Sequence, residues 1–137
     1  MKFSANLGFL WTKHELPDAI RLAAAAGFDA VECHWPYETP AEEVKSALEE
    51  TSLEMLAINT RRGNVAAGDH GLAALAGRET EAKAVIDEAI SYARAIGARN
   101  VHVMAGKSSG AEADNTFNTN LRHACTEAAK HEMTILI

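Results

Sequence analysis

Cysteine is scarce in this sequence, with two residues in 137. Cys33 and Cys125 are far apart and lack the C-x-x-C spacing of a redox or zinc site. Long apolar runs are missing as well, so no segment is expected to span a bilayer. The first residues, Met1–Ser4, run directly into a strand-like segment instead of a signal peptide. We therefore expect a soluble, cytoplasmic protein with reduced thiols and no membrane partner.

Positive charge is also in short supply. Lys and Arg number 13 against 19 Asp and Glu, which gives a net charge of −6, and neither sign collects into a block. The sequence therefore lacks the basic stripe that attracts a phosphate backbone, and nucleic acid is not expected as a partner. Because 47% of the residues are hydrophobic, the chain has enough apolar surface for the core of one domain.

The sequence contains an internal repeat at an offset of 70 residues. The matched pairs are Ala19 with Ala89, Ile20 with Ile90, Gly27 with Gly97, and Val31 with Val101. Each copy resembles an alanine-rich helix that is closed by a glycine and followed by a short β-rich run. Glycine is favoured at a helix end because the next residue often takes a left-handed backbone conformation. The repeat therefore predicts two units of helix followed by strand.

Further segments extend this alternation of helix and strand. The helical segment 44–50 precedes the strand-like segment 53–58, the helical segment 121–130 precedes the strand-like segment 133–137, and a first strand is predicted at 3–7. The result is five strands alternating with four helices. Strict alternation of this kind predicts an α/β fold, with a parallel sheet covered by helices.

Local signals predict where two helices begin and what one loop does. Glu79 would lie in the first turn of the third helix, where the helix dipole favours negative charge. Asp114 or Asn115 is expected to cap the fourth helix. The connection between Arg61 and Arg78 is too long for a simple link, and we expect it to form a flap over a site.

Strand alternation predicts a line of polar side chains on one face of the sheet. Residues i and i+2 of a strand share a face. The predicted inward set is Asn6, Glu32, His34, Asn59 and His102. If the sheet closes into a barrel, these side chains point towards the C-terminal mouth, where barrels carry their chemistry. A single inward histidine is more often a core residue satisfied by its neighbours, but burying five polar groups without a purpose costs free energy at each.

Charged and aromatic side chains follow the predicted strand ends. Arg61 and Arg62 come directly after the third strand, where a guanidinium could pair with a substrate carboxylate; solvated loop arginines are an equal alternative. Trp11, Trp35 and Tyr37 could wall a pocket, although surface packing is nearly as frequent for such residues. Arg62 and Tyr37 join the five inward side chains as candidate substrate-binding residues. No residue is assigned as catalytic or as a metal ligand.

Several stretches resemble the hydroxypyruvate isomerase family, within the xylose-isomerase-like barrels. The matching stretches are Phe3–Leu7, Ala26–Glu32, Trp35–Tyr37, Ala67–Leu75, Gly77–Glu79 and Val101–Gly106. They follow the family order along nearly the whole chain, and the loop stretches from 67 to 79 are the most specific. The resemblance implies a (β/α)₈ TIM barrel with helices outside a parallel sheet. Residues 1–137 would be its N-terminal part, with strands one to five and helices one to four, and the C-terminal half would be absent.

The resemblance also implies a chemistry. It is that of an intramolecular oxidoreductase, an aldose–ketose type isomerase acting on a small hydroxy-oxo acid, such as hydroxypyruvate to tartronate semialdehyde. Such enzymes move a proton between adjacent carbons through an enediolate, with carboxylates as acid and base and a divalent metal, Mg or Mn, on the substrate oxygens. In the family these groups come from strands five to eight. We therefore expect residues 1–137 to bind no metal and to be inactive alone.

Other interpretations remain open at this point. A 2-oxo-tetronate isomerase, a sugar epimerase and a DNA-repair endonuclease belong to related barrels, and the acidic balance argues against the endonuclease. A non-catalytic half-barrel is a further alternative. Its open first and fifth strands would expose sheet edges through which it could form a homo-oligomer.

Overall fold

Helices and parallel strands alternate along the chain. The computed structural model describes residues 1–137. The strands are β1 (Ser4–Asn6), β2 (Ala30–Glu32), β3 (Glu54–Met55), β4 (Ala57–Asn59), β5 (Asn100–His102) and β6 (Thr134–Leu136). The helices are α1 (Leu16–Ala25), α2 (Ala41–Thr51), α3 (Glu79–Ile96) and α4 (Ala111–Ala129), with a short 3-10 turn at Val65–Ala67. None of the four helices has the length and apolar character needed to cross a membrane.

All strand pairs are parallel, and their order in space follows the chain. β1, β2 and β3 form one three-stranded sheet, and β4, β5 and β6 form another. The predicted third strand, 53–58, is interrupted at Leu56 and continues to Asn59 as two pieces. Backbone hydrogen bonds bridge the interruption, since Leu56 N donates to Val31 O and Cys33 N donates to Ala57 O. The two sheets therefore form one curved wall, as in the first five strands of a barrel.

The helix boundaries confirm part of the prediction and correct another part. α3 begins at Glu79, as the acidic first turn predicts, and Gly97 ends it with a φ of +74°. The expected cap of α4 is wrong. This helix begins at Ala111 after Gly110, and Asp114 N already donates to Gly110 O, so Asp114 lies inside the first turn.

The hydrophobic core lies between the outer face of the sheet and the helices. The helices contribute mostly small side chains, such as Ala19, Ala23, Ala47, Ala89 and Ala93, and the strands contribute Ala5, Val31, Met55, Ile58 and Val101. Small residues on the helices allow close approach to the β-branched residues of the strands. Phe3 lies within the predicted first strand, 3–7, but it precedes β1 and is 59% exposed.

The last strand is only partly covered. Ile135 contacts the core, whereas Leu136 is 39% and Ile137 is 79% exposed. β1 and β6 each have one neighbouring strand, so each leaves one edge of the sheet open.

Candidate functional site

The C-terminal ends of the strands surround a cavity of about 340 Å³, which we call the cup. The polar side chains that line it are Asn6, Glu32, His34, Asn59 and His102. These are the five residues that strand alternation predicts to point inward. The structure therefore brings them together, and their role in substrate binding stays a prediction.

Strand register explains the convergence. Asn6 pairs with Glu32 across β1 and β2, and Asn59 pairs with His102 across β4 and β5. Directly opposed residues of neighbouring strands project on the same side of the sheet. The cup therefore combines contributions from four strands at the same height.

Hydrogen bonds hold some cup side chains and leave others available. Asn6 Oδ1 accepts from Gly8 N at 2.9 Å, which fixes the amide and turns the chain out of β1. His102 Nδ1 lies 3.3 Å from Asn59 Oδ1. Glu32 Oε1 accepts a long contact of 3.4 Å from Ser4 Oγ, and this is the one side-chain hydrogen bond of that carboxylate. Glu32 can thus accept hydrogen bonds from a hydroxylated ligand.

Burial keeps the two cup histidines neutral. It is the main cause of the lowered pKa of His34 and the cause of the lowered pKa of His102. The carboxylate of Glu32 opposes the effect on His34, whereas the positive charges of Arg62 and His102 lower the pKa of His34 further. A neutral imidazole can donate one hydrogen bond and accept another, which suits contacts with hydroxyl and oxo groups.

The ring of His34 is held tightly. A Cβ at Gly8 would lie 2.2 Å from His34 Nδ1, so any larger residue there would displace the ring. The ring of Phe9 meets His34 edge-on at 4.9 Å between centroids, and the indole of Trp35 lies 5.0 Å away. Our sequence interpretation missed Gly8 and Phe9. A glycine directly after a strand is the signal that could have indicated a close approach.

The two arginines after β4 differ in what they contact. Arg61 bonds Glu38 at 2.9 Å and Glu88 at 2.8 Å, so its charge is already balanced. The guanidinium of Arg62 lies 4.0 Å from the centroid of the Trp35 ring and has no carboxylate partner. Of the two, Arg62 is therefore the available one. It belongs to the residues just past the strand ends, which we call the rim, and it lies close enough for its charge to lower the pKa of His34 in the cup.

Tyr37 is placed differently from the prediction. It does not line the cup. Its hydroxyl donates a short hydrogen bond to the backbone oxygen of Asn59, and its ring packs against Tyr92 of α3. Burial raises its pKa, with a further contribution from the nearby carboxylate of Glu88. Its side chain, just past the end of β2, turns towards α3 and supports the end of β4.

The loop 61–78 is fastened to the end of β5 and does not cover the cup. Arg78 donates to both oxygens of Asp69 at 2.8 and 2.9 Å, and Gly71 pairs with Ala105. Asn120 of α4 donates to Ala73 O at 2.9 Å. No residue of this loop lines the cup, so the expected flap is instead an anchored neighbour of the rim.

The described residues do not form a metal site. Nowhere do three or more His, Cys, Asp or Glu side chains come close enough together to hold a metal ion. Glu32 lies in the cup with two histidines, but the three side chains are not arranged as ligands. The divalent cation implied by the family resemblance therefore does not fit the side chains of residues 1–137 taken alone.

Comparisons with known sequences point to one family. The sequence model of the xylose isomerase-like TIM barrel family matches residues 20–137. The putative hydroxypyruvate isomerase of Danio rerio is 43% identical over 100% of this chain and 53% of its own length. The 2-oxo-tetronate isomerase of Cupriavidus necator is 40% identical over 99% of this chain and 54% of its own length. The chain thus spans about half the length of the curated relatives it matches.

Comparisons with solved structures agree on the fold. The crystal structure of AP endonuclease, family 2 from Brucella melitensis has a TM-score of 0.91 and 35% identity, covering 98% of this chain and 53% of that one. D-allulose 3-epimerase from Methylomonas sp. has a TM-score of 0.75 at 17% identity, covering 98% and 50%, and is similar in fold alone. The parallel strands, the cup at their C-terminal ends and these matches lead to one conclusion: the chain belongs to the xylose isomerase-like TIM barrel family.

Proposed function

We propose that the whole protein is an isomerase that shifts the carbonyl group of a small hydroxy-oxo acid between adjacent carbons. Hydroxypyruvate and tartronate semialdehyde are the proposed pair. The observation that carries the proposal is the cup, in which five polar side chains converge beside an arginine without a carboxylate partner. The names of the similar curated proteins support the same class of reaction.

In the proposed reaction, residues 1–137 bind and orient the substrate. Arg62 holds the substrate carboxylate at the rim, since a guanidinium matches a carboxylate with two parallel hydrogen bonds. The amides of Asn6 and Asn59 and the neutral imidazole of His102 contact the hydroxyl and oxo groups. Glu32 accepts a hydrogen bond from a substrate hydroxyl. Holding both reacting carbons in one geometry lowers the entropic cost of the later proton transfer.

We assign the proton transfer itself to no residue of this chain. Isomerisation moves a proton from one carbon to its neighbour through an enediolate, which requires an acid and a base beside both carbons. The proposal places these groups, and any bound cation, in the remainder of the whole protein. The isolated 137 residues are then expected to show no turnover of hydroxypyruvate, even with magnesium or manganese added.

A second substrate is favoured by a specific observation. Two curated relatives named 2-oxo-tetronate isomerase are 40% and 41% identical to this chain, close to the 43% of the hydroxypyruvate isomerase relative. A four-carbon 2-oxo acid carries the same carboxylate and an additional hydroxymethylene. The same cup and the same arginine would bind it.

The test compares two neighbouring arginines in the whole protein. Isomerisation of hydroxypyruvate and of 2-oxo-tetronate is followed for the parent, Arg62→Gln and Arg61→Gln. Hydrogen bonds to a charged group contribute about 1.5–3 kcal/mol, so Arg62→Gln should lower kcat/KM about 10- to 100-fold, mainly through KM. Arg61 is paired with Glu38 and Glu88, and its loss should leave KM unchanged. Absence of turnover in the parent, or equal effects of the two variants, would overturn the proposal.

A further inference from the structure

A second, separate pocket lies behind one wall of the cup. It has a volume of about 240 Å³, and we call it the side pocket. Trp11, Leu16 and Trp35 are among its apolar walls. His34 and Cys33 line both the side pocket and the cup. The two spaces are therefore neighbours that share these two side chains.

The ring of His34 stands between the two spaces and has little freedom to move. The backbone at Gly8 supports it from one side, where a Cβ would approach to 2.2 Å. The rings of Phe9 and Trp35 flank it at 4.9 and 5.0 Å. These contacts favour the position of the His34 ring between the two spaces, and we call this ring the partition.

The far wall of the side pocket is also fixed. Trp11 has a φ of +54°, a left-handed conformation that is unfavourable for any residue with a side chain. Its ring packs edge-on against Phe28 at 6.2 Å. The indole of Trp35 is held by a hydrogen bond of 3.1 Å from its Nε1 to Thr60 O. Contacts within the fold therefore hold both aromatic walls.

The chemistry of the side pocket differs from that of the cup. Half of its lining residues are hydrophobic, and the one thiol, Cys33, is kept protonated because burial raises its pKa to about 12. Its size corresponds to about eight water volumes of about 30 Å³ each, which suits a short alkyl or aryl group. An aromatic-walled space that is lined by no carboxylate, lysine or arginine favours an apolar group over a charged one.

We propose that His34 is a specificity-determining residue, which limits substrates to those that fit within the cup by closing it off from the side pocket. This inference rests on the proposed function. In the native protein, a 3-hydroxy-2-oxo acid with a large group on C3 is excluded because the ring of His34 occupies the space that the group would need. Without that ring, the group extends into the side pocket.

The experiment uses the whole protein with three variants. His34→Ala joins the two spaces. Thr12→Trp fills the side pocket from its mouth, since Thr12 is an exposed residue of its lining and does not line the cup. In the double variant, the tryptophan at position 12 should again close the side pocket to a substrate bound in the cup. His34→Asn, which also shortens the side chain but stays polar, replaces His34→Ala if that variant fails to fold by circular dichroism.

Two readouts are taken. The first is kcat/KM for 3-hydroxy-2-oxo acids that carry hydrogen or a benzyl group on C3. Since one methylene in a pocket changes discrimination about 10- to 200-fold, the benzyl-to-hydrogen ratio should rise at least about tenfold in His34→Ala and return towards the parent value in the double variant. The second is the Kd of 4-phenyl-2-oxobutanoate by calorimetry, which should fall at least about tenfold in His34→Ala alone.

The outcomes separate this inference from the proposed function. A parent that turns over hydroxypyruvate, with no change of either readout in His34→Ala, overturns the inference and leaves the proposed function intact. A parent without turnover overturns the proposed function. In that case the Kd of 4-phenyl-2-oxobutanoate alone tests whether His34 separates the two spaces: a fall in His34→Ala supports the inference, and an unchanged Kd overturns it. A tighter Kd that persists when Thr12→Trp is added also overturns the inference, because the gain would not depend on the side pocket.

Discussion

Replacing Gly71 by alanine tests how the long loop is fastened to the sheet. Gly71 has a φ of +118°, and a Cβ there would lie 2.5 Å from Met104 O and 2.6 Å from Gly106 N. Both contacts are backbone atoms just past β5, so a flexible side chain cannot move away to relieve them. Gly71→Ala therefore combines an unfavourable backbone conformation with a steric clash.

Gly77 provides the matched control in the same loop. Its φ is +80°, but a Cβ there would meet nothing within 4 Å. A left-handed alanine costs about 1–2 kcal/mol. The lower entropy of the unfolded chain returns about 0.4–1 kcal/mol. We therefore expect Gly77→Ala to lower the free energy of unfolding by about 0–1.6 kcal/mol.

The clash at Gly71 adds to that cost. Overpacking in a fixed environment costs about 1–3 kcal/mol, so Gly71→Ala should lower the free energy of unfolding by about 1–3 kcal/mol more than Gly77→Ala does. Urea unfolding followed by circular dichroism measures both variants, and an unchanged m-value shows that the comparison is valid. Equal losses for Gly71→Ala and Gly77→Ala would refute the close approach of the loop to the end of β5.

The other predictions concern the cup and the core. Because the charge of Arg62 lowers the pKa of His34 and is not a cause of the lowered pKa of His102, Arg62→Gln should raise the first pKa and leave the second unchanged in an NMR titration. Neutral His102 should stabilise the fold fully above pH of about 6.5, and this contribution should be lost as the pH falls through its lowered pKa, seen as a falling urea midpoint. Ile58→Ala, at a fully buried position, should cost about 2–5 kcal/mol in urea unfolding. Tyr37→Phe removes the hydrogen bond to the end of β4 and should cost about 1 kcal/mol, with KM unchanged in the whole protein.

Strand periodicity predicted the residues of the cup because the direction of each side chain on a strand follows from its position alone. Side chains alternate along a strand, and parallel neighbours keep that alternation in step across the sheet. Once β2 and β5 are placed, Glu32 and His102 must share a face. The same reasoning predicted Asn6 and Asn59, whose opposed partners are those two residues. Five inward positions were therefore predictable without knowledge of a single tertiary contact.

The side chains at the rim were less predictable, because their orientation depends on contacts with residues far away in sequence. Arg61 and Arg62 are indistinguishable as neighbours in a loop. Arg61 is paired because Glu38, 23 residues earlier, and Glu88 of α3, 27 residues later, both lie beside it. Tyr37 likewise turns away from the cup because Tyr92 of α3 offers it a packing partner. Contacts of this kind depend on helix orientation, which local sequence patterns do not determine.

The interruption at Leu56 shows a third kind of limit. The run 53–58 is apolar except for Glu54, and nothing after that residue indicates where the strand should break. The break arises where the chain passes from pairing with β2 to pairing with β5, and a kink allows one strand to serve both neighbours as the sheet curves. Curvature is a property of the whole sheet, and it cannot be predicted from the residues of a single strand.

The end of β4 also explains how the rim and the cup keep a common geometry. Thr60, which is 1% exposed, follows β4 directly and makes three hydrogen bonds. Its N donates to His102 O at 2.9 Å, its Oγ1 accepts from Met104 N at 3.0 Å, and its O accepts from Trp35 Nε1 at 3.1 Å. The indole on which Arg62 stacks and the strand that carries His102 are thus tied to one backbone position. Because a buried polar group that loses its partner is costly, these bonds are maintained together. The same backbone position therefore supports both the arginine and the imidazole to which we assign substrate binding in the proposed function.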